Sequence, residues 1–133
     1  MRTKNLWLAA VSLACCLCLA SNNEVTSYED TDQPFDFHGR LGAYNGNPCF
    51  RIWIIGTHRV LGVSGGDLEP AAMPTELEEL MVTNGFSTLI YADFNVSPLT
   101  KYEKGHMQMV QIDAVSNLVV YIGDQFIEKR KTL

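Results

Sequence analysis

From Phe35 to Ala43 the chain alternates without a slip: Phe35, Phe37, Gly39, Leu41 and Ala43 are separated by Asp36, His38, Arg40 and Gly42. A period of two belongs to an extended strand, so this segment, opened by Pro34, is expected to bury one side. Tyr44-Asn45-Gly46-Asn47-Pro48 then joins residues that tolerate positive φ to a proline that cannot donate inside a ladder, which predicts a hairpin turning at Asn45-Gly46. Cys49 to Ile55 and Arg59 to Val63 are β-branched and aromatic runs parted by Gly56-Thr57-His58. A second hairpin therefore closes on the first, and three strands form a meander.

Pro74 to Met81 carries the one helix signal. Thr75 and Glu78 stand at capping-box spacing, Leu77, Leu80 and Met81 share a face, and Asn84-Gly85 supplies a left-handed stop. About two turns are expected, plugging one end of the sheet. Phe86 to Val96 and His106 to Val115 read as strands around a loop containing Pro98 and Gly105, with Leu118 to Ile122 a further strand. Five to six short strands, one short helix and no βαβ alternation predict a mainly β fold, a small antiparallel barrel or sandwich, with an OB-like barrel preferred.

The chain opens with Arg2 and Lys4, an uncharged apolar run from Leu6 to Leu19, and Ala20. This is the layout of a secretory signal peptide spanning residues 1–20, with Cys18 and Ala20 as the small residues before a cut and Ser21 as the first mature residue. The run is shorter than the roughly 20 residues a membrane-spanning helix needs, so no span is expected. An alternative is a lipoprotein signal, since Leu13-Ala14-Cys15-Cys16 and Ser12-Leu13-Ala14-Cys15 are imperfect versions of the box cut before an acylated cysteine. Cys15 or Cys16 would then carry a lipid anchor. Residues 21–33 hold Glu24, Glu29, Asp30 and Asp32 without a basic residue and read as a flexible acidic leader. A single β domain over 34–122 and a polar tail over 123–133 complete the organisation.

Loss of Arg2 and Lys4 leaves eight basic residues against fifteen acidic ones, a mature net charge of −7. Phosphate backbones demand clustered Lys and Arg, so nucleic-acid binding is disfavoured. The same charge suits a basic partner. Cys49 is the one cysteine outside the signal, which excludes a disulfide framework within one mature chain.

The strings Gly39-Arg40-Leu41, Tyr44-Asn45-Gly46-x-Pro48 and Arg51-Ile52-Trp53-x-x-Gly56-Thr57-x-Arg59-x-Leu61-Gly62-Val63, followed by Tyr91-Ala92-Asp93-Phe94-x-Val96-x-Pro98-Leu99 and Ser116-Asn117-Leu118, resemble a family of short, secreted, functionally uncharacterised proteobacterial proteins. The resemblance covers residues 37 to about 120. It implies an envelope or secreted β domain and transfers no catalytic residue.

Chemistry must then be read from the residues. A thiol nucleophile would pair Cys49 with His58 or His38, but Cys49 follows a proline at a strand start with no helix to lower its pKa. No G-x-S-x-G elbow is present. A metal would draw on His38, His58 and His106 with Asp36, Asp93 or Asp113, and only Asp36 and His38 have a spacing that places them on one strand face. The expectation is a noncatalytic binding or structural domain of the bacterial cell envelope, with no cofactor and no metal, and an unknown protein or envelope component as partner. The alternative is a small extracytoplasmic inhibitor, or a thiol- or metal-dependent enzyme. Binding falls to Tyr44, Arg51, Trp53 and Arg59: alternation puts Arg51, Trp53 and Ile55 on one face, and a three-residue turn at Gly56-Thr57-His58 brings Arg59 opposite Ile55 on that same side. Trp and Arg are the residue types that most often carry interface energy.

Export is expected to yield a mature chain beginning at Ser21, periplasmic or secreted, which N-terminal sequencing of the exported form reads directly. A start at acylated Cys15 or Cys16 selects the membrane-anchored lipoprotein, and an intact cytoplasmic chain overturns both.

Overall fold

A computed structural model describes residues 31–63 and 72–133. The segment read as a signal peptide, most of the segment read as an acidic leader, and residues 64–71 lie outside the described residues. Six strands come in the order β1 (Phe35–Ala43), β2 (Phe50–Ile54), β3 (Val60–Val63), then helix α1 (Thr75–Asn84), β4 (Thr88–Pro98), β5 (Met109–Ile122) and β6 (Gln125–Thr132). Neighbours along the sheet run β3-β2-β1-β4-β5-β6, and β3 also pairs with the start of β5. That pairing is parallel, through Gly62↔Met109 and Val63↔Val110, whereas the others are antiparallel. It closes a ring β1-β2-β3-β5-β4, and with a helix between β3 and β4 this is the OB-like barrel expected, with β6 added outside the ring on β5.

The alternation of β1 holds through Leu41: Phe35, Phe37, Gly39 and Leu41 are buried and Asp36 and His38 exposed, while Gly42 is buried as well and Ala43 half-buried. The inward residues of β2 and β4, among them Ile52, Ile54, Ile90 and Phe94, meet them in one core. Leu77 and Met81, four apart on α1, are both buried in the same cluster, so the helix closes the barrel with one stripe. Its start differs from the capping-box expectation. Pro74 is the N-cap, Thr75 is already helical, and no side chain caps the end; instead Leu77 and Glu78 donate to the Pro74 carbonyl. Its end is as read, with Gly85 at φ 72° donating to the Met81 carbonyl.

Four boundaries move. Phe86, expected to open a strand, sits in a short 3-10 turn (Gly85–Ser87) and is exposed, and β4 starts at Thr88. His106 lies in the loop before β5. The two segments read separately as 106–115 and 118–122 are one fourteen-residue strand, β5. It stays continuous because a bulge absorbs the break: the register with β4 slips between Tyr91 and Asp93, where Asn117 takes φ 52°. The supposed polar tail is strand β6, whose partner is β5. The described end of the leader is also fastened, since Asp32 accepts from the Tyr102 N–H and the Thr31 carbonyl from Gln108 Nε2.

Gly39 is buried where β1 passes Phe37 and β2. A Cβ there would lie 2.8 Å from both Ile52 Cγ2 and Phe37 Cε2 and 3.1 Å from the Trp53 carbonyl. Gly39→Ala is therefore expected to cost about 1–3 kcal/mol by overpacking. Urea unfolding at unchanged m checks this, and a variant as stable as the parent would mean that the β1–β2 crossing relaxes freely.

Candidate functional site

Strand register writes the outer face of the barrel in rows. Arg40 lies opposite Trp53 on β2 and Tyr91 on β4, and the row continues through Val119 to Lys129. The next row runs Arg51, Gly42, Leu89, Tyr121 and Phe126. Gly42 leaves room for a neighbour: its absent Cβ would be 3.2 Å from Tyr44 Cε2 and 3.3 Å from the Tyr44 hydroxyl, so the ring of Tyr44 lies across it. Arg51 in turn stacks on Tyr44 at 5.4 Å and ties down the β1–β2 loop, donating Nε to the Pro48 carbonyl at 3.1 Å and Nη2 to the Asn45 carbonyl at 3.5 Å.

At the centre, the Arg40 guanidinium lies over the Trp53 ring at 5.2 Å, and the indole N–H donates to the Thr57 carbonyl at 2.8 Å. A cation over an indole face is worth about 0.5–2 kcal/mol, more as water is excluded. Burial disfavours the charged form of Arg40, but the neighbouring Tyr91 and Tyr44 side chains outweigh that and hold its pKa above the ordinary value. Beyond Tyr91 the rings of Tyr91 and Tyr121, then Tyr121 and Phe126, meet edge to face at 5.8 and 5.9 Å.

Of the four residues marked for binding in the sequence, the structure brings three together, Tyr44, Arg51 and Trp53. It places Arg59 elsewhere. The β2–β3 turn holds four residues, Ile55 to His58, because the Ile54 N–H donates to the Arg59 carbonyl. One extra turn residue reverses the parity of the next strand. Arg59 thus faces the inner side, where it stacks on Phe35 at 5.4 Å and Tyr102 at 5.0 Å and donates to Gln108 Oε1. Gln108, itself buried, donates onward to the carbonyls of Thr31 and Thr100. Arg59 locks the mouth of the barrel. Arg40 and Tyr91, at the centre of the face, were not marked. The signal was available in the alternation, which puts both on outward positions, but their convergence needs the cross-strand register.

The other end of the outer face is acidic. His38 Nδ1 donates to Asp93 Oδ1 at 2.7 Å and Asn117 Nδ2 to Asp93 Oδ2 at 2.7 Å, while Asp36 accepts from Asn95 and Asp113 from Ser97 and Gln111. Asp36 and His38 share a face as expected, yet each turns to a β4 neighbour. Among the described residues no three His, Cys, Asp or Glu side chains converge as metal ligands, and the half-buried Cys49 makes no hydrogen bond to a histidine. None of the described helices is long and apolar enough to cross a membrane. The whole constellation defines a β-barrel domain with an aromatic and arginine-bearing outer face. No protein-family model, curated protein or solved structure matches the chain.

The Asp93 carboxyl is held below its ordinary value, first by the Asn117 amide and then by His38. Its contribution is therefore full above the unfolded carboxylate pKa of about 3.9 and is lost as pH falls through the lower folded value. Asp93→Asn is expected to be less stable than the parent near neutrality, with the two melting temperatures converging at acid pH. A difference that stays constant down to about pH 2 would show that Asp93 contributes through shape and not charge.

Proposed function

We propose that this chain is a noncatalytic binding domain that works outside the cytoplasm, in the bacterial cell envelope, and holds a protein partner on the outer face around Arg40 and Trp53. The export reading rests on the charged start, the apolar run and Ala20, and on the resemblance to secreted proteobacterial proteins. The observation that carries the binding reading is the guanidinium of Arg40 over the Trp53 ring, with Tyr44, Arg51 and Tyr91 beside it on the same side of the sheet. Trp, Tyr and Arg are the side chains in which interface energy concentrates, because each combines a large rigid apolar surface with a polar edge. Here they stand on strands of a closed barrel, or, for Tyr44, directly after one. Their geometry is set before a partner arrives, which lowers the ordering cost of binding.

The test is capture of one partner from envelope extract by the parent, Trp53→Phe and Arg51→Ala, with melting temperatures measured alongside. Both variants are expected to stay folded and to lose roughly tenfold or more in affinity for the captured protein. Lost stability with capture intact would make the cluster a packing element and remove the reading.

A further inference from the structure

The two guanidinium groups of the outer face differ in what already occupies them. Arg51 is engaged by its own loop, with the Pro48 and Asn45 carbonyls and the Tyr44 ring as partners. Arg40 has the Trp53 ring and two tyrosine side chains, and its Nε, shielded from solvent, has no hydrogen-bond partner among the described residues. No carboxylate among them answers it. The salt bridges of the described residues are His38–Asp93, His106–Glu103 and Arg130–Glu128. The carboxylates at the acidic end of the face, Asp36, Asp93 and Asp113, are each bound to side chains of that end, and Asp124, beyond Tyr91, makes no salt bridge among the described residues. In a chain with fifteen acidic residues against ten basic, the cation at the centre of the face still stands without a counter-charge among the described residues.

We propose that Arg40 is the carboxylate-binding residue of this face and receives an Asp or Glu side chain from an acidic, apolar-flanked segment of the protein partner. This rests on the reading of the face as a binding surface. With Nε shielded, the two Nη groups of the guanidinium offer paired N–H donors that match a carboxylate, and charge-assisted bonds of this kind are about twice as strong as neutral ones. The flanking apolar side chains have a place to go. On the far side of Tyr91 a groove of about 430 Å³ is lined by Leu89, Tyr91, Val119, Tyr121, Gly123 and Asp124. Its two rings, Tyr91 and Tyr121, stand edge to face at 77°, so one face of the pair is taken up in that packing. Slots of that kind take aliphatic side chains; a sugar ring would want one flat aromatic face. A second copy of this chain fits less well, because its own carboxylates on the matching face would have to leave the partners they hold.

The experiment uses the mature chain and a fluorescently labelled Leu-rich peptide with Glu at one end, read by anisotropy against the counterpart with Gln in place of Glu. The Glu peptide is expected to bind about tenfold tighter or more. Arg40→Gln is expected to abolish the gap, and Arg40→Lys, which keeps the charge without the fork, to restore part of it. The comparison of the two peptides on the parent needs no variant, so a misfolded Arg40→Gln leaves the test standing. Equal binding of both peptides overturns the proposal, as does a gap that survives in a folded Arg40→Gln. Polygalacturonate binding at Arg40 where the Glu peptide does not would assign the site to an acidic saccharide and overturn it too, as would sedimentation showing Arg40-dependent dimers with no peptide binding. Failure here with partner capture still lost in Trp53→Phe sinks only the carboxylate. Capture that persists in Trp53→Phe and Arg51→Ala sinks the binding reading itself, whatever the peptides do.

Discussion

Two residue pairs, Gly62↔Met109 and Val63↔Val110, hold the barrel shut. Strand β3 is only four residues long, and without this parallel contact both it and the start of β5 would present open edges. The contact is close because position 62 has no side chain: a Cβ there would lie 2.6 Å from Met109 Sδ and from Pro48 Cγ and 3.0 Å from Met107 Sδ. The β1–β2 loop and the loop before β5 therefore descend together on one glycine. The Gly62 N–H also donates to the Gln108 carbonyl, and the Gln108 side chain is gripped by Arg59. Closure and the locking of the barrel mouth are one device.

That closure positions the proposed binding face. With β3 anchored on its far side, β2 cannot slide or peel from β1, and the Trp53–Arg40 pairing inherits the rigidity of the ring. On the β4 side the constraint is looser and is managed by the bulge at Asn117. An extra residue in β5 raises the local twist, and the Asn side chain that reaches Asp93 comes from the same αL position. The bulge stands where the face changes from aromatic and cationic to acidic, between Tyr91 and Asp93.

How much of this was legible depends on where burial leaves a periodic trace. In β1 it does, and the alternation of Phe35 to Ala43 gave its bounds and its face. The helix stop at Gly85 was legible because the left-handed conformation has a residue preference of its own. Strand β6 buries neither face, with seven of its eight residues exposed, so QFIEKRKT shows no pattern that distinguishes an edge strand from a tail. Arg59 was misplaced by a single residue of turn length, an error that parity turns into the wrong side of the sheet. Arg40 looked like any outward residue of a strand. What distinguishes it, Trp53 on one side and Tyr91 on the other, is a property of three strands at once.

The charge of the chain and the charge at the centre of its face have opposite signs, and this decides how the face can work. A net charge of −5 over the whole sequence repels an acidic segment at a distance, so steering does not assist the encounter. Screening confines that repulsion to about 8–10 Å at ordinary ionic strength, whereas Arg40 acts at hydrogen-bond range in a half-buried setting where screening is weak. For the proposed acidic partner, association would then be slow, and discrimination would fall on how long the contact lasts once water has left. The acidic end of the face adds a second condition. Asp36 and Asp93 lie along the same strands as Arg40 and Tyr91, with Asp113 beside them on β5, so a segment carrying acid along its whole length meets repulsion at that end. A segment with its acid at one end and apolar or basic residues at the other lies down in one direction only. On the proposed reading the bipolar face sets orientation as well as affinity, since the aspartates are satisfied by side chains of their own end.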